Sequence, residues 1–193
     1  MSKEIEKSTV LGRRGFLGNS GKIALSGAAI ALISGISPAR MARADMGDQQ
    51  EHDVRILNTA IAAEHEAVAA YQLGAESGLL SKGVLKVAVQ FQGHHKEHIE
   101  VLASTVKSLG GVAGAAKARY DFPVHNLNSE NDVLSFAAAL ERGAVSAYAG
   151  AIPLFENRDL ANAAASILAD EAMHWAVLRQ ALGLNPVPAA FFS

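Results

Sequence analysis

The sequence predicts an all-α protein, a four-helix bundle with a long crossover between its second and third helices. Three observations carry this. Half of the 193 residues are hydrophobic but only 6% are aromatic, which suits close-packed helices better than a sheet built on β-branched and aromatic side chains. Apolar residues recur at three-four spacing in four separate stretches, each the mark of one helix face. Between the second and third stretches lie about 18 residues carrying Gly114, Pro123, Asn126 and Asn128, far longer than an antiparallel turn. The length leaves room for one ordinary domain and a targeting segment.

Taken in order, the first helix is expected from about Asp48 to Ser77, with Leu57, Ile61, Val68, Tyr71 and Ala75 inward and Gly78 as its stop. The second runs from about Lys82 to Leu109, with Val84, Val87, Phe91, Leu102, Val106 and Leu109 inward and Gly110-Gly111 ending it. Ser129 followed by Asp132 resembles a capping box that opens the third helix, whose inward positions are Leu134, Ala138, Val145, Tyr148, Ile152 and Phe155. Pro153 is expected to kink or shorten that helix. The fourth runs from about Arg158 to Leu182, with Ala164, Ile167, Leu178 and Leu182 inward and Gly183 and Pro186 beyond its end.

Residues 1–44 read as an address separate from the domain at 45–193. Arg13-Arg14-Gly15-Phe16-Leu17 precedes an apolar run from Ile23 to Ile36, then Pro38 and the small-residue pattern Ala42-Arg43-Ala44, the three regions of a signal peptide. The run is 14 residues long and includes Ser26, Gly27, Ser34 and Gly35, too short and too weakly apolar for a stable membrane span. The arginine pair resembles a twin-arginine signal. Export of the folded protein to the periplasm by that machinery, with cleavage after Ala44, is the expectation.

The formal charge of −2 hides an asymmetry. Residues 1–44 hold 7 of the 17 Lys and Arg and 2 of the 19 Asp and Glu, which leaves the remainder at −7. An acidic body without a basic stripe gives no support for nucleic-acid binding. The absence of cysteine excludes disulfides, thiolate metal sites and thiol catalysis within this sequence.

Each inward stripe is interrupted by residues of one kind. Glu64 falls between Ile61 and Val68, His95 and His98 between Phe91 and Leu102, Glu141 between Ala138 and Val145, and Glu171 with His174 between Ile167 and Leu178. Six ionisable groups aimed into one core must compensate each other, because an unpartnered buried charge is costly. Divalent metal does this well, since carboxylates bridge cations and imidazoles cap them. One Glu from each of two helices and an i, i+3 pair from each of the other two is the di-iron and di-manganese carboxylate arrangement. His94 is an alternative to His95, also one turn from His98. Glu66, Glu97 and Glu100 point off the stripe. His52, His65 and His125 are expected at the surface, and Trp175 either shields the site or packs between helices.

A weak internal repeat supports the same reading. Glu64 precedes Tyr71 by seven residues and Glu141 precedes Tyr148 by seven, while Glu64 to Glu141 spans 77 residues and His98 to His174 spans 76. The halves resemble one helical hairpin used twice. Tyr71 and Tyr148 are then placed to hydrogen-bond a ligand on a neighbouring helix.

These motifs, from about Asp48 to Phe192, resemble the ferritin-like superfamily, which includes rubrerythrins, manganese catalases and secreted ferritin-like proteins related to desiccation-related proteins. The resemblance implies two divalent ions, iron or manganese, held by Glu64, His95, His98, Glu141, Glu171 and His174. It implies iron, oxygen or peroxide as the species acted on, by a ferroxidase, peroxidase or catalase-like activity, with a non-catalytic metal-binding or stress-protective bundle as the alternative. It also allows a homo-oligomer. The first Glu-x-x-His of the pattern is His95-x-x-His98 here, which leaves three carboxylates in place of four. Without cysteine, the Cys-ligated electron-supplying centre of many rubrerythrins has no counterpart, so a reductant would come from elsewhere.

Overall fold

The structure, a computed structural model, describes residues 46–192. The proposed signal peptide lies outside the described residues. Four helices carry the fold: α1 (Met46–Glu76), α2 (Lys82–Ser108), α3 (Glu130–Ala151) and α4 (Arg158–Ala181), with short 3₁₀ turns at Val124–Asn126 and Ile152–Leu154. The all-α four-helix reading holds; the ends of α1, α2 and α4 fall within two residues of those expected, while α3 stops at Ala151, short of Ile152 and Phe155. No helix among the described residues is long and apolar enough to cross a membrane. Residues 187–192 form no helix or strand.

The stop signals act as their chemistry requires. At the end of α2, Gly110 takes φ 75°, a left-handed conformation that costs glycine little. Its N–H donates to the Lys107 carbonyl and that of Gly111 to the Val106 carbonyl, which satisfies carbonyls the helix leaves orphaned. Gly111 is needed for space, since a Cβ there would stand 2.7 Å from Cγ1 of Val54. Ser129 caps α3 by accepting from the Asp132 N–H, while the Asp132 carboxylate accepts from the Asn128 N–H and the Ser129 hydroxyl. Pro153 shortens α3, which gives way to the 3₁₀ turn that contains it. Asp53 does what no local pattern announced: buried in α1, it accepts from the N–H groups of Glu156 and Asn157 at 3.0 and 3.1 Å and so holds the chain leading into α4. Asn157 then caps α4 through the Asp159 N–H.

Two helical hairpins result, α1 on α2 and α3 on α4, joined face to face chiefly through α1 and α3. The crossover is tied back to α1, where Asn58 donates to the Val112 carbonyl and accepts from the Gly114 N–H. Buried side chains fall into two main apolar layers. One holds Leu57, Ile61, Leu102, Val106, Tyr148 and Ile167, the other Tyr71, Phe91, Leu134, Ala138 and Leu178. Between these layers, in sequence on every helix, come the ionisable residues. Trp175 packs at the second layer, with the Arg179 guanidinium 5.0 Å from its ring centroid.

Candidate metal centre

All six residues that interrupt the apolar stripes converge. Glu64, His95, Glu141, Glu171 and His174 are each at most 3% exposed, and the His98 side chain is 13% exposed. Helical phase explains the convergence, because each occupies the inward position that an apolar residue holds one or two turns away.

His95 sits at the middle of the band. Its Nδ1 lies 2.8 Å from Oε2 of Glu64 and its Nε2 lies 3.3 Å from Oε1 of Glu141, so one imidazole links carboxylates from the two hairpins. His98 Nδ1 lies 3.4 Å from the same Glu64 oxygen and 3.2 Å from Oε1 of Glu171. His174 Nδ1 lies 3.4 Å from Oε1 of Glu141. The two tyrosines cross between the hairpins: Tyr148 donates to Oε1 of Glu64 at 2.6 Å, and Tyr71 donates to Oε1 of Glu141. Phe91 stacks on His174 with ring centroids 3.9 Å apart and covers that imidazole from the apolar layer.

The electrostatics follow from this crowding. Burial pushes Glu64 up, but hydrogen bonds from His95 and His98 overcome it and bring the carboxyl down to about 2. Glu141 is held well below the ordinary range, with burial again opposed by its neighbours. Glu171 is pushed up to about 7 by burial and then by the Glu141 carboxylate beside it. Burial lowers the three imidazoles and the surrounding carboxylates more than reverse it, so His95 rises to about 11, His98 to about 10 and His174 to about 9. Both tyrosines, buried against carboxylates, are raised well above their ordinary value and stay protonated as donors.

Most of this band can satisfy itself with protons, but one part does not. Both Glu171 oxygens and His174 Nδ1 are buried without a well-aligned hydrogen bond, although His98 Nδ1 stands 3.2 Å from Glu171 Oε1 and His174 Nδ1 3.4 Å from Glu141 Oε1, a condition native cores avoid. Donor atoms of Glu64, His95, His98 and Glu171 lie within 4.8 Å of one another, and so do donor atoms of His95, Glu141, Glu171 and His174. The quartets share His95 and Glu171. Each quartet is a group of donor atoms that could hold a metal ion.

Two residues outside the expected set also belong here. His94 lies outside the buried quartets that contain His95; its Nδ1 is 3.1 Å from Oδ2 of Asp170. Asp170 adds a carboxylate that the stripe pattern missed, being one position off the inward phase of α4. The repeat holds a signal for it: an offset of 76 carries His98 to His174, His95 to Glu171 and His94 to Asp170. His52 is half-buried, its Nε2 3.2 Å from the Leu154 carbonyl, so the expectation of a surface histidine does not hold for it. His125, Glu97 and Glu100 are exposed, as expected, while His65 and Glu66 are half-buried.

Helical hairpins packed around a buried band of Glu and His that could hold metal ions define a class of four-helix bundle. Residues 52–184 match the ferritin-like domain family, and the chain belongs to it. A crystal structure of a conserved hypothetical protein from Mycobacterium tuberculosis has the same fold, with a TM-score of 0.64 at 24% identity over 74% of this chain and 99% of that one. No curated protein matches the sequence.

Proposed function

We propose that this is an exported non-haem dimetal carboxylate protein acting on iron, oxygen or peroxide in the cell envelope. The observation that carries the reading is Glu171, buried without a well-aligned hydrogen bond where two ligand quartets overlap. Glu64 and His98 would hold one ion and Glu141 and His174 the other, with Glu171 and His95 at the shared positions. Two such ions, iron or manganese, supply Lewis acidity and redox equivalents toward small oxygen species. The chain's own residues do the positioning. Tyr148 and Tyr71 fix the Glu64 and Glu141 carboxylates, and Phe91 keeps water from the apolar side of His174. A cleft of about 610 Å³ reaches His98 and Asp170 from outside, floored by Tyr148 and Leu57.

The test is elemental analysis of protein recovered from its native compartment, followed by turnover with peroxide and with ferrous iron. Two iron or manganese ions per chain are expected, with fewer in Glu171→Gln. A protein that holds no metal in either state would sink the reading. Export is tested separately: replacing Arg13 and Arg14 by Lys should trap the precursor inside the cell, and a mature terminus far from Asp45 would contradict cleavage after Ala44. A non-catalytic, stress-protective bundle is the second reading, favoured by His95, which already pairs Glu64 with Glu141 without an ion. Metal without turnover would select it.

A further inference from the structure

We propose a further divalent-cation site at the mouth of the buried centre, formed by His94 and Asp170 and joined by Nε2 of His98 or His174 while that ring is not ligating inward, from which ions load the centre. The inference rests on the dimetal reading for its loading role, but the site itself stands on its own geometry.

Oδ2 of Asp170 is approached by three imidazoles at once: Nδ1 of His94 at 3.1 Å, Nε2 of His174 at 3.2 Å and Nε2 of His98 at 3.4 Å. One carboxylate oxygen has two lone pairs and cannot accept well from three ring N–H groups. Nδ1 of His94 is also 2.9 Å from Nε2 of His174. His94, Asp170 and His174 bring ligand atoms within 4.8 Å of one another, a partial set that a borderline divalent ion such as Fe²⁺, Mn²⁺, Co²⁺ or Zn²⁺ accepts as it displaces ring protons. Exposure differs from that of the inner band: the His94 and Asp170 side chains are 34% and 22% exposed, so water can complete the coordination.

Two rings face both ways. His98 and His174 each turn Nδ1 toward the buried glutamates and Nε2 toward Asp170. An ion at Asp170 is therefore one imidazole from the inner donors, and rotation of a ring already in contact would pass it inward without release to bulk water. The approach is open as well, since the cleft between α2 and α4 is lined by the carboxylates of Glu97 and Asp170 along its apolar walls, which raises the local concentration of cations.

The experiment is titration of the metal-free protein with Co²⁺ alone, reading stoichiometry by absorption and loading rate by stopped flow, for wild type, Asp170→Asn, His94→Gln and Glu171→Gln. Circular dichroism confirms folding; Asp170→Asn is isosteric at a partly exposed position. Wild type is expected to bind one equivalent more than Asp170→Asn or His94→Gln, and those variants to load the remaining ions about tenfold more slowly. Glu171→Gln should keep the outer equivalent. If both outer variants match wild type in stoichiometry and rate, the outer site is overturned while the buried centre stands. A single wild-type equivalent that Asp170→Asn removes would support the outer site and overturn the dimetal centre. No cobalt bound by wild type would overturn both.

Discussion

Tyr148 donates a 2.6 Å hydrogen bond to Glu64, a residue of the opposite hairpin 84 positions earlier, and Tyr71 makes the reciprocal bond to Glu141. Each half of the repeat thus orients the glutamate of the other. Tyr148 belongs to one apolar layer and Tyr71 to the other, so the two bonds clamp the polar band from both sides.

Removing one hydroxyl leaves a buried carboxylate oxygen without its donor. Tyr148→Phe is expected to lower unfolding stability by about 1–3 kcal/mol and to weaken metal binding by about 10–100-fold. Urea denaturation of the metal-free protein and a metal titration check the two effects. An unchanged metal affinity would show that Glu64 is not held for ligation.

Metal binding should release protons. The ordinary histidine value is 6.5, and His95, His98 and His174 stand at about 11, 10 and 9. Their raised values mean that protonation stabilises the metal-free fold fully below pH 6.5, and that this contribution is lost as pH rises through about 9 to 11. Cations compete for the same nitrogens, so apparent affinity should rise with pH from 6 upward. Below about pH 7 Glu171 also holds a proton in the metal-free protein, and metal binding there should displace it too. Calorimetry in buffers of different ionisation enthalpy counts the protons; a count of zero would contradict the assignment.

His95→Glu supplies the fourth carboxylate of the usual pattern at the same helical phase. In the loaded protein the added negative charge favours the trivalent state, so the reduction potential should fall and oxidation of added ferrous iron should quicken. In the metal-free protein the same change removes the link between Glu64 and Glu141 and places like charges together, so stability should drop. Potential, oxidation rate and melting temperature at fixed pH test these signs. The same two ions bound with no negative shift in potential would place His95 outside the ligand set.

Two glycines that look alike in sequence should respond oppositely to alanine. At Gly111 a Cβ would meet Val54 at 2.7 Å and Val106 at 3.0 Å, and Gly111→Ala should cost about 1–3 kcal/mol through forced repacking. At Gly93, inside α2, a Cβ meets nothing within 4 Å, and Gly93→Ala should stabilise by about 0.5–1 kcal/mol. Thermal melts of the two variants give the comparison.

The sequence by itself determined the helices and the residues that interrupt their apolar faces, because both are encoded in a local period of 3.6 residues. It follows that Glu64, His95, His98, Glu141, Glu171 and His174 could be read from phase alone, and Gly110, Ser129 and Pro153 from the chemistry of helix ends. Phase tells which side of a helix a residue occupies, but not which helix faces it or how far away that helix stands. Only the tertiary structure decided that each tyrosine serves the other hairpin's glutamate, that Asp53 of α1 holds the chain entering α4, and that His95 lies between two carboxylates. Asp170 shows the reason most directly. It is one position off the inward stripe, where a surface carboxylate is the ordinary expectation, yet the packing of α2 against α4 at that level brings three imidazoles within 3.4 Å of its Oδ2, which phase alone does not reveal.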